Sequence, residues 1–422
     1  APDQSIRRPT APPRPVSHPS PPPHPPSPAR DTPFHVARTP ELAEIILLAG
    51  ATPKRGRNNQ GKTAYEVQSP EVRAAIDDST LLCGRFEVIA PNTPAHATLT
   101  SVVLLSTDKR AADDDATAVS EVAIKLMMHE DQFLRELLQR KGLDPQFVVK
   151  VICTSNDPEF KDTWVGELEQ KLAKWKDYKY GIVMPAAQRN LAVVLLQERV
   201  DLTLAKEIFS FLARALGHLH EHGVIHGDFK PLNVTRAVSG EWVLIDLDGA
   251  VKLGAPIGAK ALSTAFVGPE ATFQAANGEI VFRVPKEDAP YETLEAHPTF
   301  DIWSLMVVLF RAVAHQPLLE ADDRDNLRSK RELTILATWG AKALSEALAD
   351  ADAALVADNV DVVERLVVCD LLAWGLQNNP ADRPQSSEEV LTHPFFGAKS
   401  AKASRRKKSL LVKSGGGLGA AV

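Results

Sequence analysis

The chain has 422 residues, of which 44% are apolar and 24% charged, with a formal net charge of -6. That length holds two or more domains and that make-up is globular, while the sign of the charge argues against a nucleic-acid partner. The three cysteines, Cys83, Cys153 and Cys369, are too scattered for a disulfide frame or a zinc set and fit reduced thiols in a cytoplasmic compartment.

Residues 1-30 are dominated by Pro, Ser and Arg. Such a segment buries too little apolar surface to offset its ordering entropy and is expected to be disordered, with local polyproline II. It reads as a linker, and Pro12-Pro13-Arg14-Pro15 also offers a docking stretch for an SH3-type partner. It has no apolar h-region, so no secretory leader is expected, and an opening on Ala1 fits a fragment or a processed product.

The texture changes at residue 31. Thr32-Pro33-Phe34-His35-Val36-Ala37 is followed by an apolar-faced helix over Glu41–Ala51 that ends at a glycine, Gly50. After a polar turn at 54-59, Gly61-Lys62-Thr63-Ala64-Tyr65 opens a similar unit, closed by a helix from Pro70 to Ile76. Thr32 and Thr63 lie 31 positions apart. The first block resembles the T-P-L-H-x-A signature of ankyrin repeats, whose period is about 33 residues. The resemblance implies a short all-α module over 31-80 that binds a protein partner, with the threonine capping the first helix and His35 as a structural hydrogen-bonding residue. Asp77-Asp78-Ser79-Thr80 reads as the joint to a second domain.

From 81 to 398 the chain is rich first in strands and then in helices. Strands are expected over Phe86–Ala90, Thr98–Leu105, Val122–Met127, Val148–Ile152 and Gly181–Met184, with a helix over Asp131–Lys141 between the third and fourth. Beyond Asp201, Leu204, Ile208, Leu212, Leu216 and Leu219 fall at near four-residue spacing, a helical pattern. The longest apolar stretches, Ile45–Ala51 and Leu305–Phe310, are too short to span a bilayer. Residues 399-422 form a basic tail ending in Gly and Ala, expected to be disordered.

The chemistry concentrates in His226-Gly227-Asp228-Phe229-Lys230-Pro231-Leu232-Asn233 and Leu244-Ile245-Asp246-Leu247-Asp248. A carboxylate, Asp228, suits a general base, and an ammonium, Lys230, suits an increasing negative charge. Asn233 and Asp246 supply the hard oxygens that Mg²⁺ prefers. The run resembles the protein-kinase catalytic loop H-R-D-x-K-x-x-N with its downstream D-F-G. Gly268-Pro269-Glu270 is similar to the A-P-E that closes the activation segment, and Asp301-Ile302-Trp303-Ser304 to the opening of the large helix behind the loop. Ala381-Asp382-Arg383-Pro384 and His393-Pro394-Phe395-Phe396 resemble the end of the domain, and the resemblance implies a buried Glu270–Arg383 ion pair. Val122-Ala123-Ile124-Lys125 resembles the V-A-I-K strand, which makes Lys125 the phosphate-holding lysine and Glu136, rather than Glu130, its helix partner. Tyr180 to Ala187 fits the hinge, with Met184 behind the adenine and the Pro185 carbonyl and Ala187 N–H facing its edge.

The resemblance implies an α+β, two-lobed kinase fold and an ATP- and Mg²⁺-dependent protein kinase acting on a protein substrate. Lys230-Pro231 matches the serine/threonine form of the loop. Three departures stand against the pattern. Pro91 to Ala97, read as the place of the glycine-rich loop, contains no glycine and two prolines, which remove amide donors from any phosphate cradle. Gly227 replaces the arginine that answers an activation-segment phosphate, here on Ser263 or Thr264. Asp248 replaces the D-F-G glycine, where it either adds a metal ligand or restrains the loop; the second is the preferred reading. Two other functions stay open: a pseudokinase scaffold that binds partners, and a small-molecule phosphotransferase, since His-Gly-Asp with a later Ile-Asp occurs there too.

Overall fold

A computed structural model describes residues 32-48, 57-111, 120-198, 200-237, 240-258 and 262-397. The proline-rich segment, the glycine expected to end the first helix and the basic tail lie outside the described residues. The chain divides into two compact units between Gly84 and Arg85.

In the first unit a 3₁₀ turn over Pro33–Val36 precedes α1 (Pro40–Leu48) and α2 (Pro70–Thr80). Ala37, Ala43, Ala64, Val72 and Ile76 form its small core. His35 bonds on both ring nitrogens: Nδ1 accepts from the Thr32 amide at 3.0 Å, and Nε2 lies 3.2 Å from the Lys62 carbonyl. The Thr32 hydroxyl meets His35 Nδ1 at 2.9 Å, so it is engaged with the ring rather than with a helix amide. The expected joint at Asp77–Thr80 is instead the last turn of α2, where Thr80 Oγ1 bonds the Ile76 carbonyl.

In the second unit β1 (Phe86–Val88), β2 (His96–Ala97), β3 (Ser101–Asp108), β4 (Glu121–Met127), β5 (Cys153–Thr154) and β6 (Tyr180–Pro185) form one antiparallel sheet. Its order is β1-β3-β4-β6-β5, with β2 also on β3. Helix α3 (Glu130–Arg140) follows β4, and α4 (Trp164–Lys171) lies between β5 and β6. The strand expected over Val148–Ile152 is not formed. There the backbone changes partners, from Leu244 at Val149 to Val183 at Ile152.

Beyond β6 come β7 (Ala187–Asn190), α5 (Leu191–Gln197) and α6 (Leu202–Glu221). Asp201 caps α6 by accepting from the Leu204 amide at 2.8 Å, and its four-residue apolar stripe is buried. Short strands β8 (Val224–Ile225), β9 (Val234–Ala237), β10 (Trp242–Leu244) and β11 (Val251–Lys252) carry the loops of interest. They pair β8 with β11 and, in a second sheet, β10-β9-β7. A further hairpin, β12 (Thr272–Gln274) with β13 (Ile280–Phe282), precedes α7 (Pro298–Ala314). Then come α8 (Lys330–Ala337), α9 (Ala341–Ala357), α10 (Val362–Gly375) and α11 (Ser387–Leu391). Helix α7 is buried except at Pro298 and Arg311, as a helix apolar on all sides must be. It is the spine of the large core, with α6, α9 and α10 around it.

Both the large core and the cluster around Phe133, Ile182 and Met184 are built from residues from Met127 onward, far inside the second unit. A fragment starting at Leu81 is therefore expected to melt in one cooperative transition, followed by near-ultraviolet circular dichroism. A fragment without a sigmoidal melt would show that the two units depend on one another for folding.

Candidate active site

The first cluster gathers on the inner face of the antiparallel sheet. Lys125 lies in the middle of β4, and its Nζ donates to Glu136 Oε2 at 2.7 Å and to Asp246 Oδ1 at 2.6 Å. Glu136 is wholly buried on α3, and its second oxygen accepts from Arg140 at 2.7 Å. Burial opposes the charge on Lys125, but Asp246, Glu136 and Asp248 outweigh it and hold the ammonium's pKa above the ordinary lysine value. For Glu136, burial raises the pKa, while Lys125 and Arg140 bring it below the usual carboxylate range. Asp246 reaches Lys125 from a left-handed conformation, φ 60° and ψ 71°.

The second cluster is the loop between β8 and β9. Asp301, at the buried start of α7, accepts from the amides of His226 at 2.7 Å and Gly227 at 3.0 Å, and pairs with His220 Nε2 at 2.9 Å. One carboxylate thereby fixes the backbone that carries Asp228. Burial raises its pKa, but the His220 bond and charge lower it overall. Asn233 donates Nδ2 to the Asp228 carbonyl at 2.8 Å, and its own carbonyl accepts from Ile245, next to Asp246. Lys230 Nζ donates to Ser263 Oγ at 2.8 Å and lies 3.1 Å from Asp325 and 3.7 Å from Asp228.

The structure thus brings Lys125, Glu136 and Asp246 into contact, and Asp228, Lys230 and Asn233 into a second contact group, joined through Ile245. Met184, Pro185 and Ala187 sit where the sheet gives way to β7. Met184 pairs with Ala123 on β4 and packs with Ile182, Phe133 and Val243, Pro185 ends β6, and Ala187 begins β7. The amide between them, Ala186, donates to Glu121 at 2.9 Å.

Glu270 and Arg383 meet in a two-pronged pair, both contacts at 2.7 Å. Arg383 also donates to the carbonyls of Gln377, Asn378 and Thr299 and stacks over Trp303. A family model described as a protein kinase domain matches residues 101-396. This chain belongs to the protein kinase family. Its kinase domain has the α+β make-up of the family, and no helix among the described residues is long and apolar enough to cross a membrane.

Just ahead of the matched residues, the turn that faces Lys125 lies elsewhere than the expected Pro91 to Ala97. Register sets it: His96 pairs with Val103, and Val103 with Lys125, so the turn that overhangs the Lys125 face is 98-100, between β2 and β3. The segment at 91-97 is mostly an excursion on the sheet edge, tied down where Trp175 donates to the Pro91 carbonyl and Lys174 to that of Asn92. The two prolines therefore take nothing from a phosphate cradle. The turn itself still has no glycine, and the Thr98 hydroxyl accepts from the Thr100 and Ser101 amides at 3.3 and 3.0 Å.

Gly227 is more than a missing cation. Its φ is 72°, and a Cβ there would stand 2.3 Å from the Gly249 carbonyl oxygen, so the backbone itself excludes arginine. Ser263 and Thr264 are not presented as phosphate acceptors. Ser263 is buried on Lys230, and Thr264 accepts from the Leu327 amide at 2.8 Å. Asp248 accepts from Gln132 on α3 at 2.8 Å, a link between the loop and the helix.

Sequence reasoning did not single out Asp301's hold on the loop, Arg140 and Gln132 on α3, or Asp325. For Arg140 and Gln132 a signal existed: both lie four positions from Glu136, on one helix face. Asp325 comes from a remote loop, and no local pattern announces it.

Proposed function

We propose that this protein kinase is an active, ATP-dependent serine/threonine kinase, with an ankyrin-type module over 31-80 that recruits a protein partner. The observation that carries the activity is the three-way contact of Lys125 with Glu136 and Asp246, the arrangement that phosphoryl transfer requires of its nucleotide-holding lysine. In this reading Lys125 and Glu136 fix the nucleotide phosphates, and Met184, Pro185 and Ala187 receive the adenine. Asp228 orients the substrate hydroxyl and accepts its proton, and Lys230 offsets charge on the transferred group.

The donor set fits Mg²⁺: one carboxylate, Asp246, and one amide, Asn233, whose nitrogen is used on Asp228 so that its oxygen is the group left for a cation. Among the described residues no three His, Cys, Asp or Glu side chains form a metal cluster, so phosphate oxygens and water would complete the shell. When bound, Mg²⁺ supplies charge neutralisation of the phosphates. Lys230 supports hydroxyl-bearing serine or threonine as acceptor through the family's serine/threonine loop form. The Thr32–His35–Lys62 bonds support the ankyrin reading, and an SH3-type partner for the proline-rich segment remains part of the same proposal.

One observation favours the scaffold reading instead: the Thr98 hydroxyl occupies two amides of the turn over the nucleotide site. A thermal-shift titration with ATP, with and without Mg²⁺, separates the two, joined by phosphate transfer to peptide libraries whose only acceptor is Ser, Thr or Tyr. No ATP-dependent shift and no transfer would leave the scaffold.

Regulation gives a smaller expected effect. With Gly227 in place of arginine and both Ser263 and Thr264 engaged, phosphatase treatment should change the rate of peptide phosphorylation by less than about threefold, under roughly 0.7 kcal/mol of barrier. A drop of about tenfold or more would mean that another basic group receives a phosphate.

A further inference from the structure

Gln132, Glu136 and Arg140 are spaced by four along α3, so all three face the same side. Each makes a different link. Gln132 Nε2 donates to Asp248 Oδ2 at 2.8 Å, tying the first turn of the helix to the loop that carries Asp246. Glu136, one turn on, binds Lys125 and Arg140. Arg140 spans from Glu136 to the Val149 carbonyl, which it reaches at 2.9 Å, tying the last turn to the segment leading into β5. Gln132 and Glu136 are buried and the Arg140 side chain is 7% exposed, so the α3 ends of these links are shielded from water, while Asp248 is half-buried.

Helices that carry such a glutamate must be held in place for the lysine pair to form. Where a phosphate on the activation segment does this, an arginine must receive it, and here the backbone at Gly227 excludes one. The residue that departs from the family at 248 is the one that grips α3. We propose that Asp248 and Gln132, aided by Arg140, are positioning residues that brace helix α3 against the metal-binding loop, so that the Lys125–Glu136 pair is assembled without phosphorylation. The brace keeps Asp248 off the nucleotide and on the helix. It makes the left-handed Asp246 and the helix one unit, since Asp246 is two residues from Asp248 and bonds Lys125 directly.

This deepens the kinase reading, and its test does not depend on turnover. Hydrogen exchange of the amides over 130-140 is measured on the full chain, as wild type and after phosphatase treatment, and on Asp248→Ala, Asp248→Asn, Gln132→Met and the Asp248→Ala/Gln132→Met pair. Losing this part-buried charge-assisted hydrogen bond should speed exchange in the first turns of α3 by about tenfold in Asp248→Ala and in Gln132→Met. The double variant should be no faster than Asp248→Ala, because Gln132→Met removes a bond that Asp248→Ala has already removed. Asp248→Asn keeps an oxygen that accepts from Gln132 and should stay within about twofold of wild type. Dephosphorylated wild type should match the untreated protein. The proposal is overturned by unchanged exchange in Asp248→Ala and Gln132→Met, by additive effects in the double variant, or by Asp248→Asn loosening α3 as much as Asp248→Ala. An α3 that loosens on dephosphorylation overturns it as well. Should Asp248→Ala lose its cooperative melt, Gln132→Met reads the same bond at nearly constant volume. A protein that binds no ATP while keeping this exchange pattern would sink the catalytic reading and leave the brace intact.

Discussion

Asp228→Asn should lower the rate of ATP-dependent peptide phosphorylation by at least about 10²-fold, the scale of losing a general base. Asparagine is nearly the same shape, so the bonds that position this residue should survive. Asn233 Nδ2 still has the residue-228 carbonyl to donate to, and Asp301 still holds the amides of His226 and Gly227. What is lost is the basic oxygen and the negative charge facing Lys230, 3.7 Å away. KM for ATP should move little, because Lys125, Glu136 and Asp246 form a separate contact group on β4, α3 and the β10–β11 loop. Steady-state kinetics with radiolabelled ATP measure both constants. Equal incorporation by variant and wild type would remove Asp228 from the role of base. A large rise in KM with unchanged kcat would place it in nucleotide binding instead.

The lower part of the kinase domain was legible because its signals are local. The stripe from Leu204 to Leu219 and the cap at Asp201 specify α6 without reference to anything else. The apolar run Leu305–Phe310 lies within the buried helix α7. The loop from His226 to Asn233 could be singled out for a similar reason, since its polar residues stand within eight positions of one another. What the sequence left hidden depends on register. The strand that begins at Phe86 is interrupted after Val88 and resumes for two residues at His96, and nothing in the intervening prolines tells that it resumes. The turn facing Lys125 therefore falls at 98-100, one excursion later than Pro91 to Ala97. Likewise the valine-rich stretch at 148-152 has strand chemistry, but its backbone bonds are divided between Leu244 and Val183, so no regular ladder forms. The most consequential hidden feature is a carbonyl. In the sequence, position 227 stands out only by the side chain it lacks, whereas in the fold the Gly249 oxygen occupies the space a Cβ would need.

That contact makes the restoration of the family's arginine the sharpest test of the fold around the site. Gly227→Arg puts back the cation that usually receives an activation-segment phosphate, and by motif alone it should be neutral or beneficial. The geometry requires the opposite. At φ 72° a side chain is in the left-handed region, and its Cβ would meet a backbone oxygen at 2.3 Å, which cannot swing aside as a flexible side chain does. Backbone strain and overpacking are each worth about 1–3 kcal/mol, so the variant should lose about 3 kcal/mol or more of stability. In a domain of this size that lowers the melting temperature by roughly 6 °C or more. The oxygen belongs to the residue after Asp248, and Val251, two further on, pairs with Ile225 in the short ladder of β8 and β11. Relief by a backbone shift would therefore pull the loop carrying Asp246 away from the loop carrying Asp228, and activity should fall together with stability. Gly227→Ala isolates the cause, since it adds the Cβ and no charge, and it should carry most of the loss. If Gly227→Ala melts within about 1 °C of wild type, the close approach to Gly249 is not a constraint, and the missing arginine must be explained by the charge alone.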